Sequence, residues 1–304
     1  MQLDIIATGL RFPEGPVWLE DGSIALVEIE RQTVSRVYPD GRIEVMAKVP
    51  GGPNGLALGP DGAFYICNSG GFGWIEEDGL LIPSGTAPDY RGGSIDRLDP
   101  ETGKVTTLYT HCGPRRLSGP NDLVFDRHGG FYFTDIGKIR AEDRDHGGVY
   151  YALADGSRIE PVIHPILSPN GCGLSPAGDI LYVADMEPAR LWAFPIVAPG
   201  KVAKLPFPRS GNGGRLRGTA TGFQGYDSLA VDSEGAIAIG TVWGQPQITV
   251  ISPKGGIVRE IPMPDPFPTN LCFGGKDGCT AFITLSGKGQ LVSLRWPCPG
   301  AALN

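Results

Sequence analysis

Six similar segments of the chain each carry an oxygen-bearing side chain at their second residue, which we call the key position. The key residues are Glu14, Asn54, Asn121, Asn170, Asp227 and Asn270. Carboxylate and amide oxygens crowded into one pocket repel each other unless a positive charge lies among them. Hard divalent cations prefer such oxygen ligands, and this set contains no His or Cys. The pattern therefore predicts one divalent cation, most simply Ca²⁺, Mg²⁺ or Mn²⁺, with Zn²⁺ or Fe²⁺ as alternatives.

A turn is a simpler explanation for any one of these residues taken alone. In "SPNGCGL", residues 168 to 174, Asn170 stands between Pro169 and Gly171. Asn tolerates the unusual backbone angles that turns require. Six occurrences in the same register favour a binding site over six separate turns. Some members, Asn54 especially, could still serve only to hydrogen-bond their neighbours.

The segments around the key positions share a pattern typical of β-hairpins. An apolar run follows each key residue, a turn comes next, and a second apolar run returns. A glycine stands eight residues after every key position, at Gly22, Gly62, Gly129, Gly178, Gly235 and Gly278. A second hairpin follows in most segments. The last segment lacks one strand, which "LDIIAT" at residues 3 to 8 could supply.

This arrangement predicts an all-β fold, a six-bladed β-propeller with four antiparallel strands per blade. The N-terminal strand joins the last blade and closes the ring, so that residues 1–304 form a single domain. The first strand of each blade lines the central channel of a propeller. All six key side chains should therefore surround one mouth of that channel.

Two long insertions are expected to rise over the same mouth. They cover residues 69–91 and 206–225. Long loops in compact folds are more often functional than not. Arg215 and Arg217 make the second insertion basic and are predicted to contact the substrate, although an ordinary solvated loop is an equal alternative. His146, predicted to lie in a loop at this mouth, is a further candidate for substrate binding.

Bulk properties exclude several classes of partner. The formal net charge is −7, and no run of Lys and Arg exceeds two residues, so a nucleic-acid-binding surface is not expected. No stretch of about 18 apolar residues could span a membrane. The N-terminus has no signal-peptide pattern, and six scattered cysteines indicate reduced thiols. These features predict a cytoplasmic protein that acts on a small molecule.

The chain resembles the gluconolactonase/regucalcin (senescence-marker protein) family over essentially its whole length. The matching stretches occur in order, and they are "RFPEGPVW" (11–18), "GPNDLVFD" (119–126), "SPNGCGLSP" (168–176), "DSLAVDSEG" (227–235) and "TNLCFGG" (269–275). This family folds as a six-bladed propeller, and its typical members hydrolyse sugar lactones such as gluconolactone. Related propellers hydrolyse organophosphates or other lactones.

The resemblance implies roles for individual key residues. Glu14, Asn170 and Asp227 would bind one divalent metal, and Asn121 would contribute to metal or substrate binding. Asp227 would also act as general base, and Asn54 and Asn270 are predicted to contact the substrate. The chain departs from the family in two places. Gly119 stands where one branch has a substrate-binding Arg, and Ser228 stands where Gly is usual.

We therefore expect divalent-metal-dependent hydrolysis of a sugar lactone at the channel mouth. Another metal-dependent hydrolase or lyase on the same site is an alternative, as is a non-catalytic metal-binding propeller. Asp135 and Asp185 should support the site from the ends of second strands. Cys172 and Cys272 are expected to fill the core, because the ring offers no base such as His to activate a thiol.

Overall fold

The structure, a computed structural model, describes residues 3–302. Within that range six sheets of four or five strands are arranged as a six-bladed β-propeller, beside two small two-stranded sheets, which confirms the predicted fold class. The N-terminal strand, β1 (Asp4–Ala7), pairs with the last strand of the last blade and so closes the ring. No helix long and apolar enough to cross a membrane occurs among these residues.

Blades one to three follow each other along the chain. Blade one contains β2 (Pro13–Trp18), β3 (Ile24–Glu28), β4 (Thr33–Val37) and β5 (Ile43–Lys48). Blade two contains β6 (Pro53–Leu58), β7 (Phe64–Asn68), β10 (Ser94–Leu98) and β11 (Val105–Tyr109), and its insertion forms β8 (Phe72–Glu77) and β9 (Leu80–Thr86). Short strands β12 (His111–Cys112) and β13 (Arg115–Arg116) precede blade three, which contains β14 (Pro120–Phe125), β15 (Gly130–Asp135), β16 (Gly147–Leu153) and β17 (Ile159–Ile166).

Blades four to six complete the ring. Blade four contains β18 (Pro169–Leu174), β19 (Ile180–Asp185), β20 (Arg190–Ala198), the short β21 (Lys201–Val202) and β22 (Arg215–Thr219). Blade five contains β23 (Gly225–Val231), β24 (Ile237–Val242), β25 (Gln247–Ile251) and β26 (Ile257–Pro262). Blade six contains β27 (Pro268–Gly274), β28 (Thr280–Leu285) and β29 (Gln290–Arg295), completed by β1.

The first strands of the blades surround the channel. Each contacts the first strand of the next blade, in the ring order β2, β6, β14, β18, β23, β27 and back to β2. The repeated glycine turns each first strand into the second at the far end of the channel. All six of these glycines have positive φ, between 70° and 87°, a backbone region that side chains other than Gly rarely adopt. The spacing noticed in the sequence therefore marks six equivalent turns.

The core lies between neighbouring blades. Second strands are almost wholly buried, and large aromatic and aliphatic side chains from adjacent sheets pack face to face. Tyr65, Phe131 and Phe125, for example, form one aromatic cluster between blades two and three, with ring centroids 4.9 to 5.7 Å apart. This packing holds the inner strands, and hence the key residues, in fixed positions.

Both insertions, predicted as loops above the mouth, contain β-strands. Residues 69–91 contain the hairpin of β8 and β9, in which Trp74 packs on Phe12 next to blade one and the Leu81 N–H donates to Gly287 O of blade six. Residues 206–225 do not form one loop, because β22 within them pairs with β20 and provides the outer strand of blade four. Only the residues after Thr219, which pairs with the start of β20, return to the mouth.

Candidate active site at the channel mouth

The key residues occupy irregular positions in their strands. In blades two to five the pairing of the first strand with the second is regular up to the residue before the key position, and resumes two residues after it. In blades one and six the key residue is itself paired, and the register shifts just after Glu14 and just before Asn270. Bulges of this kind re-aim side chains. The Asn residues of the repeat therefore mark bulges at the channel mouth, and all six key side chains are buried.

Glu14 and Asn270 form the most direct contact within the ring. Asn270 Nδ2 donates to Glu14 Oε2 at 2.7 Å, and the Gly15 N–H donates to the same oxygen at 2.7 Å. Asn270 Oδ1 in turn accepts from the Leu271 N–H at 2.7 Å. Burial raises the pKa of Glu14 to about 6 although these donors lower it. The amide nitrogen and the amide oxygen of the Asn270 side chain thus both form hydrogen bonds within the protein.

Asp227, like Glu14, is a buried carboxylate whose pKa is raised. Burial raises its pKa well above the ordinary value, and the carboxylates of Glu14 and Asp122 raise it further. The amide of Asn170 and the N–H of Ser228 act in the opposite direction. Asn170 Oδ1 accepts a long hydrogen bond of 3.4 Å from Ser228 Oγ. The hydroxyl of Ser228, where the family usually has Gly, thus faces the ring.

Asn121 carries an oxygen that the protein leaves without a donor. Its Oδ1 is buried and accepts no hydrogen bond from any residue in the range 3–302. Burying an amide oxygen without a partner costs about 1–3 kcal/mol, so such atoms are rare unless another ligand satisfies them. A divalent cation is a natural partner for an amide oxygen in a ring that also contains two buried carboxylates. The donor set therefore fits an oxygen-coordinated cation.

Asp122 is a third buried carboxylate that the sequence analysis missed. Its Oδ1 accepts from the Leu123 N–H at 2.9 Å and its Oδ2 from the Cys172 N–H at 3.2 Å. Burial and the charge of Glu14 raise its pKa to about 7. Blades one, two and four have Gly at this position. The Asp of blade three therefore departs from the repeat, and this departure could have identified it from the sequence. Among residues 3–302, however, no three His, Cys, Asp or Glu side chains group as metal ligands.

A cavity of about 580 Å³ extends from Asp122 and Asn270 along the channel, away from the key mouth. Inner-strand side chains such as Leu56 and Leu229 line it, together with residues 300–302 near the C-terminus. The lining is mostly apolar, and its polar side chains are those of Asp122, Asn270, Arg127 and Ser175. Such surroundings favour the uncharged form of Asp122.

Asp135 and Asp185 act on the backbone beneath the site. Asp135 accepts from the N–H groups of Ser118, Gly119 and Gly137, at 2.7 to 2.9 Å. Asp185 accepts from the Ser168 N–H at 2.8 Å and from Trp192 Nε1 at 3.2 Å. Each carboxylate thus fixes the chain that leads into a key residue. This contact is the support that the sequence position led us to expect.

Gly119 stands in a space too small for a side chain. A Cβ added there would lie 2.7 Å from the carbonyl oxygen of Gly137. An Arg at this position, as in the related branch, would require the loop after β15 to move. The backbone of blade three therefore leaves no room for that Arg side chain.

Four predicted substrate-binding residues lie in different surroundings. Asn54 is buried in the ring, at the second residue of β6. His146 is exposed and adjoins His164 on β17, the outer strand of its blade. Arg215 and Arg217 lie on β22, which places them on the outer strand of blade four. Asn54 is thus the one of these four that the structure brings into the ring.

Lys138 ties the hairpin of β8 and β9 to blade three. Its Nζ donates to the Gly71 carbonyl at 3.2 Å and lies 4.6 Å from the ring centre of Phe72 and 5.0 Å from that of Tyr90. Burial lowers the pKa of this amine to about 8 although Asp135 and Asp145 raise it. Nothing in the repeat pattern pointed to this residue, because it lies in an irregular loop.

The six cysteines, all within the described residues, are free thiols. Cys172 and Cys272 are buried on inner strands. Burial raises the pKa of Cys272 to about 12 and that of Cys172 well above its ordinary value. A protonated, buried thiol is a poor nucleophile.

The fold and site together define a six-bladed propeller with a ring of buried, oxygen-bearing side chains at one channel mouth. Residues 12–287 match the family described as SMP-30/Gluconolactonase/LRE-like region, and the chain belongs to this family. The resemblance seen in the sequence is thereby confirmed.

Characterised relatives are distant in sequence. A gluconolactonase of Zymomonas mobilis is 25% identical over 93% of this chain and 79% of its own length. A lactonase drp35 of Staphylococcus saprophyticus is 28% identical over 86% of this chain and 72% of its own.

Solved structures share the fold. A gluconolactonase of Xanthomonas campestris gives a TM-score of 0.74 at 23% identity, covering 97% of this chain and 89% of that one. A calcium-binding protein, regucalcin, from Agrobacterium tumefaciens gives 0.75 at 18% identity, covering 99% and 98%.

Proposed function

We propose that this protein hydrolyses a sugar lactone at the channel mouth with the help of one divalent cation. The observation that carries the proposal is the buried Oδ1 of Asn121, which has no donor among residues 3–302 and lies in a ring that also contains two buried carboxylates. Lactone hydrolysis is the activity named for the Zymomonas and Staphylococcus relatives. Membership in the same family supports its transfer to this chain.

Glu14, Asn121, Asn170 and Asp227 would hold the cation. Two carboxylates balance the charge of a dication, and two amides add neutral oxygens. When bound, the cation supplies Lewis-acid polarisation of the lactone carbonyl. The hydrogen bond from Asn270 orients the carboxylate of Glu14 for this role, in the way that outer contacts position metal ligands.

Asp227 is the proposed general base. In the cation-free protein its burial and the neighbouring carboxylates raise its affinity for a proton, which offsets part of the basicity that a bound dication would remove from a group that must take a proton from the attacking water. The buried ring also excludes bulk water, so that charge developing on the carbonyl oxygen is weakly screened. Asn170 and Ser228 limit the rise in the Asp227 pKa and so help to keep the base ionised.

A lactone-hydrolysis assay tests the proposal. Protein stripped with EDTA would be offered five- and six-membered sugar lactones, with Ca²⁺, Mg²⁺, Mn²⁺ or Zn²⁺ added back singly. Turnover should return with at least one cation, and Asp227→Asn should reduce kcat at least a hundredfold. Asp155→Asn, the same change at an exposed turn residue, is the matched control and should behave like wild type.

Two results would contradict the proposal. Lactone turnover that persists unchanged after stripping would show that the cation takes no part in the reaction. If the stripped and reloaded protein cleaves no lactone of the panel, sugar lactones are not its substrates.

A further inference from the structure

An aromatic pair stands beside the proposed site on blade five. Phe223 and Trp243 stack with ring centroids 5.4 Å apart and planes only 14° from parallel. Trp243 directly follows β24, whose last residue pairs with Gly225 at the start of β23. Both rings therefore lie at the end of the blade where Asp227 lies. Phe223 precedes Asp227 by four residues, a stretch of chain that spans at most about 14 Å.

The backbone is shaped to hold this pair. Trp243 has φ of 69°, a left-handed backbone conformation that is a genuine outlier for a bulky residue and is strained. Such strain persists where the surroundings over-determine it, commonly at ligand sites. The Trp243 N–H donates to Pro266 O at 3.2 Å, and Gln224 Nε2 donates to Gln245 O at 2.9 Å. These contacts tie the loops that carry the two rings to their neighbours.

Two glycines make room for the stack. A Cβ on Gly225 would lie 2.7 Å from Cζ3 of Trp243, so the indole rests directly on the backbone of β23. A Cβ on Gly244 would lie 2.2 Å from the carbonyl oxygen of Phe223. Larger residues at either position would push the rings apart. Glycine at both positions therefore allows the two rings to stack.

The outer ring of the pair is open to solvent. Phe223 is 76% exposed while the indole behind it is half-buried. A planar apolar face, fixed from behind and turned outward at the end of the blade that carries Asp227, suits a ligand with one apolar flat side and polar groups elsewhere. The C–H face of a sugar ring has this character.

We propose that Phe223, backed by Trp243, is a stacking platform that positions the ring of the lactone substrate over the key residues. This inference rests on the proposed function, since it assigns a contact for the same substrate. It predicts that loss of the platform weakens substrate binding and leaves the chemical step nearly unchanged.

The test compares two exposed phenylalanines. Phe223→Ala should raise KM five- to thirtyfold on the lactone that wild type cleaves best, with kcat within about twofold. Phe207→Ala is the matched control, because Phe207 is 86% exposed on the segment between β21 and β22, away from the mouth. Phe223→Leu, which keeps an apolar but non-planar side chain, should resemble Phe223→Ala.

A binding measurement separates this inference from the proposed function. The unreactive lactam of the same sugar would be titrated into cation-loaded protein while tryptophan fluorescence is recorded. We expect a fluorescence change in wild type that disappears in Trp243→Phe, and at least fivefold weaker lactam binding in Phe223→Ala. Equal KM and equal lactam affinity for Phe223→Ala and Phe207→Ala would overturn the platform and leave lactone hydrolysis standing. If no lactone is cleaved, the proposed function fails, and the stacking platform is then tested by lactam affinity alone. Undetectable lactam binding would in that case contradict the platform as well.

Discussion

Asn270 donates a hydrogen bond of 2.7 Å to Glu14 across 256 positions of sequence. The contact joins the inner strands of blade six and blade one at the channel, while the N-terminal strand closes the ring on the outer side of blade six by pairing with β29. The junction of the last and first blades and the geometry of the site are therefore coupled. Glu14 depends on a residue from the opposite end of the chain for its orientation.

Asn270→Leu should destabilise the protein and disturb Glu14. The substitution approximately preserves the side-chain volume but removes the Asn270 donor to Glu14 Oε2. Of the two donors described above, the Gly15 N–H remains. Loss of a hydrogen bond to a buried carboxylate costs about 1–3 kcal/mol. Urea titration of cation-free protein measures this loss in the free energy of unfolding. An unchanged midpoint would show that the contact contributes nothing.

Asn121→Leu should have the opposite effect on the cation-free protein. Its Oδ1 lacks a donor within the described part of the chain, so an apolar replacement removes a buried, unsatisfied oxygen. We expect the free energy of unfolding to stay level or rise by about 1 kcal/mol, while cation affinity falls at least tenfold. Calorimetric titration and urea unfolding of the same sample measure both quantities. Destabilisation as large as that of Asn270→Leu would mean that Asn121 has a structural partner instead.

Asp135→Asn should weaken the approach to the ring without altering its key residues. The carboxylate accepts from three backbone N–H groups, and an amide nitrogen in place of one oxygen cannot accept them all. Thermal unfolding should show a loss of about 1–3 kcal/mol. Asp155→Asn, at an exposed turn, is the control and should leave the melting temperature within about 1 °C.

Lys138 should make stability depend on pH in the alkaline range. Its pKa is lowered from 10.5 to about 8 in the folded protein, so between these values the unfolded chain holds a proton that the folded chain lacks. The free energy of unfolding should therefore rise with pH across this window, by about 3 kcal/mol.

Lys138→Met removes this contribution, and Lys48→Met, at an exposed position, should not. Urea midpoints at pH 7.5, 9 and 10.5 for all three proteins give the comparison. Parallel pH profiles for wild type and Lys138→Met would show that the amine stays charged when folded.

The repeat made the fold predictable. The six key residues and the six turn glycines have one register, and that register alone orders the strands around a channel. The same argument placed the key side chains together, because equivalent positions on inner strands meet at one mouth. It could not distinguish Asn121, whose oxygen is free of donors from residues 3–302, from Asn270, whose two polar ends are engaged. That difference depends on bulge geometry in neighbouring blades.

Features outside the repeat were harder to predict. The basic insertion was interpreted as a loop over the mouth, but Arg215–Thr219 pairs as an outer strand. Its short length and the glycines around it hid the strand signal. Lys138 and the stack of Phe223 on Trp243 lie in irregular segments and depend on contacts between distant loops. Such tertiary contacts leave no periodic trace in a single sequence.

Anomalous diffraction from a crystal soaked in Mn²⁺ after EDTA treatment tests the central claim most directly. The account predicts one strong peak at the channel mouth, within about 2.5 Å of oxygens from Glu14, Asn121, Asn170 and Asp227. The same crystal of Asn121→Leu should show the peak weakened or lost. A fully occupied peak elsewhere in the protein, with none among these four residues, would contradict the account.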